Sequence, residues 1–134
     1  MKYRLMDLLA CPICKSFPLQ LIVFNEVNMS SSDSNIKSCD EYCSYYGKKM
    51  VDLKNEGASP DCKSCLQIQI VNGIITCQNC DRWYPIIEEI PHMLPDELRN
   101  EKEDKAFLIK NKEKIPQAIL GRGRPFNLSH PITE

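Results

Sequence analysis

Cys77-Gln78-Asn79-Cys80-Asp81-Arg82-Trp83-Tyr84-Pro85-Ile86-Ile87-Glu88-Glu89-Ile90-Pro91-His92-Met93-Leu94-Pro95 is the stretch that decides how this chain folds. A Cys-x-x-Cys pair runs straight into the one tryptophan and the densest apolar patterning of the sequence. Two thiolates so spaced let the amides of a tight turn point at the sulfurs, the local form of a zinc knuckle. Arg82 to Ile86 reads as a strand, Ile87-Glu88-Glu89 as a turn and Ile90 to Leu94 as extended chain. Upstream, Leu66 to Val71 alternates like a strand. Asn72-Gly73 is a strong hairpin signal that would turn it onto a return strand, Ile74 to Thr76, delivering Cys77.

A second pair, Cys11-Pro12-Ile13-Cys14, lies near the N-terminus. Leu5, Met6, Leu8 and Leu9 before it suit a short helix with one face packed down, and Pro18 to Phe24 after it reads as a strand. Met29 to Asn35 is a loop by composition and opens a segment of different character. There Ser38 and Glu41 form a candidate capping box, with a helix expected from about Cys39 that would carry Cys39 and Cys43 on one face. Gly47 argues for a stop or bend, and Ser59-Pro60 for the start of a further short helix leading to Cys62-Lys63-Ser64-Cys65. Beyond Pro95 a charged helix is expected to about Ile115. The tail from Gln117 is expected to be extended unless docked.

Eight cysteines in a chain of this kind point to metal before disulfides, because cytosolic thiol buffers keep cysteines reduced. No run approaches the roughly 18 apolar residues of a membrane span. The N-terminal apolar stretch breaks at Asp7 and at Cys11-Pro12, unlike a secretory signal, so a cytoplasmic protein is expected. Four pairs can be grouped in neighbouring, interleaved or nested fashion. The nested grouping is favoured: Cys11, Cys14, Cys77 and Cys80 outside, Cys39, Cys43, Cys62 and Cys65 inside. Both outer pairs abut strand-like runs, as in a zinc ribbon, and the inner four nearly match the Cys-x₂-Cys-x₁₅₋₂₀-Cys-x₂-Cys zinc spacing. For the inner four, a second zinc, disulfides and free core thiols all stay open. Both zinc sites would be structural, since four thiolates leave no position for a catalytic water. His92 and His130 are the spare ligand candidates.

The net charge of −1 and pI of about 6.1 oppose a stand-alone nucleic-acid module, which draws most of its affinity from a basic excess. Arg122 and Arg124 form the one basic cluster. A thiol-disulfide enzyme would want its cysteine pair at a helix N-terminus in a βαβ setting, and neither outer pair sits there. No Ser-His-Asp set, paired carboxylate site or Gly-rich phosphate loop is visible, so no catalytic residue is assigned.

Leu5-Met6-Asp7-Leu8-Leu9-Ala10-Cys11-Pro12-Ile13-Cys14, then Cys77-x-x-Cys80-x-Arg82-Trp83-Tyr84-Pro85-Ile86, then Glu89-Ile90-Pro91-His92-Met93-Leu94-Pro95, resembles the tRNA methyltransferase 112 activator family, archaeal-type small zinc-ribbon subunits. The resemblance covers about residues 1–24 and 66–99. It implies a non-catalytic subunit that forms heterodimers with S-adenosylmethionine-dependent methyltransferases acting on tRNA, rRNA or a peptide release factor. It implies contact with RNA only through the complex. The inner cysteine pairs depart from the family's simplest form. The alternative is a zinc-ribbon nucleic-acid-binding module of the translation or transcription machinery.

The expected fold is α+β: a small zinc ribbon with a three- to four-stranded antiparallel sheet, a short N-terminal helix and an inserted helical segment. Residues 1–28 and 66–95 would form the ribbon, 29–65 the cysteine-containing insert, and 96–134 a helix and flexible tail. Ile86, Ile87, Ile90, Pro91, Met93 and Leu94 are the expected partner-binding residues. They are many apolar side chains for one short segment, and Pro85, Pro91 and Pro95 remove backbone donors, as suits an edge strand. The competing use of these residues is to fill the ribbon's own core. Trp83 reads as a core anchor.

Overall fold

The structure is a computed structural model, and it describes residues 1–29 and 36–129. A four-stranded antiparallel sheet, in the order β1-β4-β5-β6, organises the chain: β1 (Gln20–Asn28), β4 (Ile68–Thr76), β5 (Trp83–Ile87) and β6 (Ile90–Pro91). The insert between β1 and β4 holds a two-stranded hairpin, β2 (Tyr42–Cys43) and β3 (Lys48–Lys49), and two short helices, α1 (Met50–Asn55) and α2 (Cys62–Gln67). Two further helices, α3 (Glu101–Lys110) and α4 (Gln117–Arg122), follow the sheet. The α+β ribbon with a four-stranded antiparallel sheet matches the expectation.

The sheet is covered on both faces, and the second half of β4, Gly73 to Thr76, is accordingly buried at every residue. One face carries Ile70, Ile75, Tyr84 and Ile86 against Met1, Met6, Cys11 and Leu19. The other carries Ile74 and Trp83 against Leu108, Ile115, Ile119 and Leu120 from the C-terminal helices. Strand alternation separates Trp83 from Tyr84 and Ile74 from Ile75 in this way. Ile70 and Ile75 are an odd number apart yet share a face, because the β1–β4 register shifts between them: Val23 pairs with Gly73, Asn25 with Asn72 and Glu26 with Ile70.

Asn72-Gly73 is therefore not a hairpin turn. β4 runs straight through it, paired to β1 on one side, with Gly73 also paired to Ile86 on the other. Gly73 serves a close approach instead: a Cβ there would lie 2.6 Å from the Ile22 carbonyl oxygen. The two-residue turn lies between β5 and β6, where Glu88 (φ 48°) and Glu89 (φ 72°) both occupy the left-handed region that such tight hairpins demand.

The helix expected from Cys39 does not form. Gly47, at φ 69°, turns β2 back onto β3, and Asp7, rather than the expected Ser38–Glu41 box, takes up the amides of Asp40, Glu41 and Tyr42. Helical structure enters only at α1 and at α2, which Asp61 caps by accepting the Ser64 N–H at 3.1 Å. The N-terminal helix is a single 3₁₀ stretch, Tyr3–Asp7. The charged segment after Pro95 is broken into a 3₁₀ turn, Asp96–Leu98, then α3, capped by Asn100, then a second 3₁₀ turn, Lys112–Lys114.

The segment from Gln117 is docked as α4. Ile119 and Leu120 are buried against Trp83. The chain then returns to the sheet: Trp83 N–H donates to Arg124 O, Arg124 N–H to Asp81 O at 2.8 Å, and the Trp83 indole N–H to Phe126 O at 2.9 Å. The Arg99 guanidinium covers the Trp83 ring at 4.6 Å, donates to Trp83 O and pairs with Asp104 at 2.8 Å. Trp83 is fully buried, as expected of a core anchor.

Candidate metal centre and sheet edge

The two outer cysteine pairs have the same backbone form. After Cys14, Lys15 sits at φ 65°, and Cys11 N–H donates to Ser16 O at 3.0 Å. After Cys80, Asp81 sits at φ 60°, and Cys77 N–H donates to Arg82 O at 2.8 Å. Each pair thus closes a turn over six residues whose fifth member is left-handed. Pro12 and Asn79, inside these turns, are residue types that favour turns.

β4 delivers Cys77 and β5 leaves from the second knuckle, while the turn between the N-terminal 3₁₀ helix and β1 carries the first. The antiparallel pairing of Gln20 with Thr76 and of Thr76 with Trp83 brings both knuckles to one end of the sheet. All four Sγ atoms of Cys11, Cys14, Cys77 and Cys80 lie within 4.8 Å of one another. Sγ of Cys11 is 3.7 Å from that of Cys80, and Cys14 Sγ is 3.4 Å from Cys77 Sγ. A tetrahedral centre with metal–sulfur bonds of about 2.3 Å needs sulfurs about 3.8 Å apart, so the set fits one ion.

The surroundings favour thiolate. Hydrogen bonding from the Asn79 side chain, and then from Ser16, holds the Cys14 thiol down at about 5. Burial pushes Cys11 up, but the amides of Cys14 and Ile13 and the Tyr84 hydroxyl, 3.2 Å from Cys11 Sγ, bring it below its ordinary value. Cys77, by contrast, is pushed up to about 12, first by burial. Four neighbouring thiols cannot all ionise without a cation among them, and a bound metal supplies it. Arg82, paired with Asp96 at 2.8 Å and beside Cys80, adds positive charge at the rim. The parts that Tyr84 and Arg82 take were not anticipated; their only sequence signal is closeness to Cys80.

The expected docking residues divide. Ile86 is fully buried and belongs to the core on the same face as Tyr84, so it offers no surface; strand alternation turned it inward. Met93 is half-buried and packs against that core. Ile87, Ile90 and Leu94 are exposed, Ile90 by 61%. Pro91 pairs with Ile86 and is half-buried. β6 is the end strand of the sheet, bonded on one side to β5, and Pro91 has no N–H to offer. His92 donates its backbone N–H to Pro85 O at 2.8 Å and is not part of the cysteine cluster. His130 lies outside the described residues.

Residues 58–89 match the family described as Trm112p-like protein, a span that runs from the end of the insert through β4, the second knuckle and β5. Among solved structures, the chain superposes on a chain of the E. cuniculi Mtq2–Trm112 complex, which is responsible for methylation of the eRF1 translation termination factor. The TM-score is 0.51 at 21% identity, over 70% of this chain and 95% of that one. The chain has the Trm112 fold. The family model bears out, over residues 58–89, the family resemblance read from the sequence, and the solved structure bears out the fold. No curated protein matches the chain. The Trm112-like span includes Cys62, Cys65, Cys77 and Cys80, while Cys11 and Cys14 join them only through the fold. No helix among the described residues is long and apolar enough to cross a membrane.

Proposed function

We propose that this Trm112-type chain is a non-catalytic activating subunit that binds S-adenosylmethionine-dependent methyltransferases and keeps them folded and soluble. The observation that carries this is the pairing of a Trm112 fold with an open sheet edge flanked by the exposed side chains of Ile87, Ile90 and Leu94. Such an edge suits the addition of a partner strand, with backbone hydrogen bonds giving affinity and apolar side chains fixing the register. The partner gains stability by mass action, because the subunit binds only its folded form. Substrates of the methyltransferase class at issue are tRNA, rRNA or a release factor, met by this chain only inside the heterodimer and in the cytoplasm.

The ion of the outer site is zinc. Four sulfur ligands, tetrahedral spacing and turn amides at the sulfurs support that choice. Its part is structural: Cys11, Cys14, Cys77 and Cys80 would hold it, and it would lock the end of the sheet from which β5 and β6 extend. In this reading the ribbon, residues 1–28 and 66–95, is the docking body. The hairpin of the insert is tied to it through Asp7, and the helices after Pro95 cover its Trp83 face.

Co-expression with the methyltransferases of the same cell, followed by pull-down and methylation assays with and without this chain, tests the reading. Recovery of at least one methyltransferase, with activity that depends on the chain, is expected; recovery of none sinks the proposal. Ile90→Asp should abolish capture at unchanged zinc content. Met93→Asp is a poor probe, because Met93 packs on the core and its loss would disturb the fold.

A further inference from the structure

The insert is a small lobe with very little to hold it together. Its own apolar cluster is Cys43, Met50 and Leu53, with Cys39, Tyr45 and Ala58 packed at their margin, and Cys65 is buried besides. A cluster that small does not stabilise a lobe of some three dozen residues, and folds of this size draw on a metal or on disulfides. Four cysteines are the chemistry the lobe carries.

The structure brings those four together. Cys39, Cys43, Cys62 and Cys65 all line one cavity of about 10 Å³, with Arg4, Tyr45, Tyr46, Met50, Pro60 and Asp61. That volume is about one water-sized sphere, too small for an organic ligand. The two pairs are brought to the cavity by contacts that use no sulfur. Asp7 fixes the backbone from Asp40 to Tyr42, between Cys39 and Cys43. The Tyr46 hydroxyl accepts the Asp61 N–H at 3.0 Å, tying the β2–β3 turn to the start of α2. Asp61 then caps α2, whose first turn holds Cys62 and Cys65. Cys43 and Cys65 are buried, and Cys39 and Cys62 half-buried, at this one cavity.

We propose that Cys39, Cys43, Cys62 and Cys65 form a second, structural zinc site inside the insert. A tetrathiolate zinc carries a net charge of −2, and Arg4, on the cavity wall, offsets it as Arg82 does at the outer site. Among the described residues only the outer four sulfurs form a set that lies mutually within 4.8 Å, so the inner four stand wider apart and would have to close to hold an ion. Binding therefore draws the β2–β3 hairpin and α2 together, and each protonated thiol releases its proton to solvent as it coordinates. The insert then folds as a holo lobe, independently of any partner of the sheet edge.

Metal and thiol counts on the full chain, purified under reducing conditions, test this without any variant. Two zinc ions per chain by elemental analysis, and eight thiols released after denaturation with chelator, are expected. Cys62→Ser/Cys65→Ser should then hold one zinc and keep the buried Trp83 emission of the ribbon. Should that variant fail to fold, cobalt substitution of the wild-type chain gives the same count from the tetrathiolate absorption, with two equivalents expected at saturation. One equivalent of metal in the wild-type chain overturns the proposal, whether the remaining four cysteines are free or oxidised. So does a folded Cys62→Ser/Cys65→Ser variant that still holds two.

Discussion

The Asp7 carboxylate accepts the backbone N–H of Tyr42 at 2.8 Å, joining the N-terminal 3₁₀ helix to the hairpin of the insert across 35 residues of sequence. It also accepts the N–H groups of Asp40 and Glu41, each at 2.9 Å. A carboxylate that gathers three consecutive amides acts as a cap for a segment that has no helix to cap. Partial burial pushes the Asp7 carboxyl up, but the three amides outweigh it and hold it below the ordinary carboxylate range.

Replacing Asp7 should loosen the insert and leave the outer ribbon in place. Hydrogen bonds to a charged group are worth about 1.5–3 kcal/mol when well made, so Asp7→Ala should cost about 1–3 kcal/mol by denaturant unfolding. The pH dependence follows from the lowered carboxyl. Its contribution is present above the unfolded value of about 3.9 and is lost as pH falls through the lower folded value. The stability gap between wild type and Asp7→Asn should thus be widest at neutral pH and shrink in acid. A gap that widens in acid would contradict this geometry.

Stripping metal from the outer knuckles should unfold the ribbon end. Structural zinc contributes about 10–16 kcal/mol to the folding of zinc-finger peptides, more than the roughly 5–15 kcal/mol that a whole domain holds in reserve. Chelation should red-shift the emission of Trp83, which is fully buried in the fold, and zinc should restore it. A metal-free chain with native emission and native circular dichroism would remove the outer site from the account.

Gly73→Ala should destabilise by about 1–3 kcal/mol, the usual cost of forcing an extra methyl into a packed site. The added Cβ would meet the Ile22 carbonyl oxygen at 2.6 Å, and that atom is backbone, with no rotamer to move aside. Thermal unfolding reads the effect. An unchanged melting temperature would mean that β1 and β4 are not held as closely as the structure places them.

Glu89→Gly should stabilise. Glu89 sits at φ 72°, where an L side chain crowds its own carbonyl at a cost of about 1–2 kcal/mol and glycine does not. Its amide, which donates to Val71 O at 2.9 Å, is kept. The same variant should still capture a methyltransferase, since Ile87, Ile90 and Leu94 are untouched. A lower melting temperature would show that the Glu89 side chain contributes more than its backbone strain removes.

Much of the ribbon was legible because it depends on short-range chemistry. A Cys-x-x-Cys pair closes its own turn, and the alternation from Trp83 to Ile86 turns side chains to opposite faces whatever surrounds them. The same alternation should have removed Ile86 from the docking set, since it puts that residue on the Tyr84 face. The insert was harder to read. The Ser38–Glu41 box and the four-residue spacing of Cys39 and Cys43 suited a helix, yet Asp7, more than thirty residues away, claimed the amides that would have opened it.

By itself, then, the sequence determined the two outer knuckles, the tight turn after Ile87 and the apolar run beside it. Each is set by residues within a few positions of one another. The tertiary structure alone decided that Asn72-Gly73 continues a strand, because β1 pairs with both residues and β5 with Gly73. It also decided that the C-terminal segment docks as α4, because the second face of the sheet, with Trp83 on it, needed cover. Finally, it brought Cys39, Cys43, Cys62 and Cys65 to the wall of one cavity. Long-range hydrogen bonds and burial settle such matters, and neither is written into any single window of the chain.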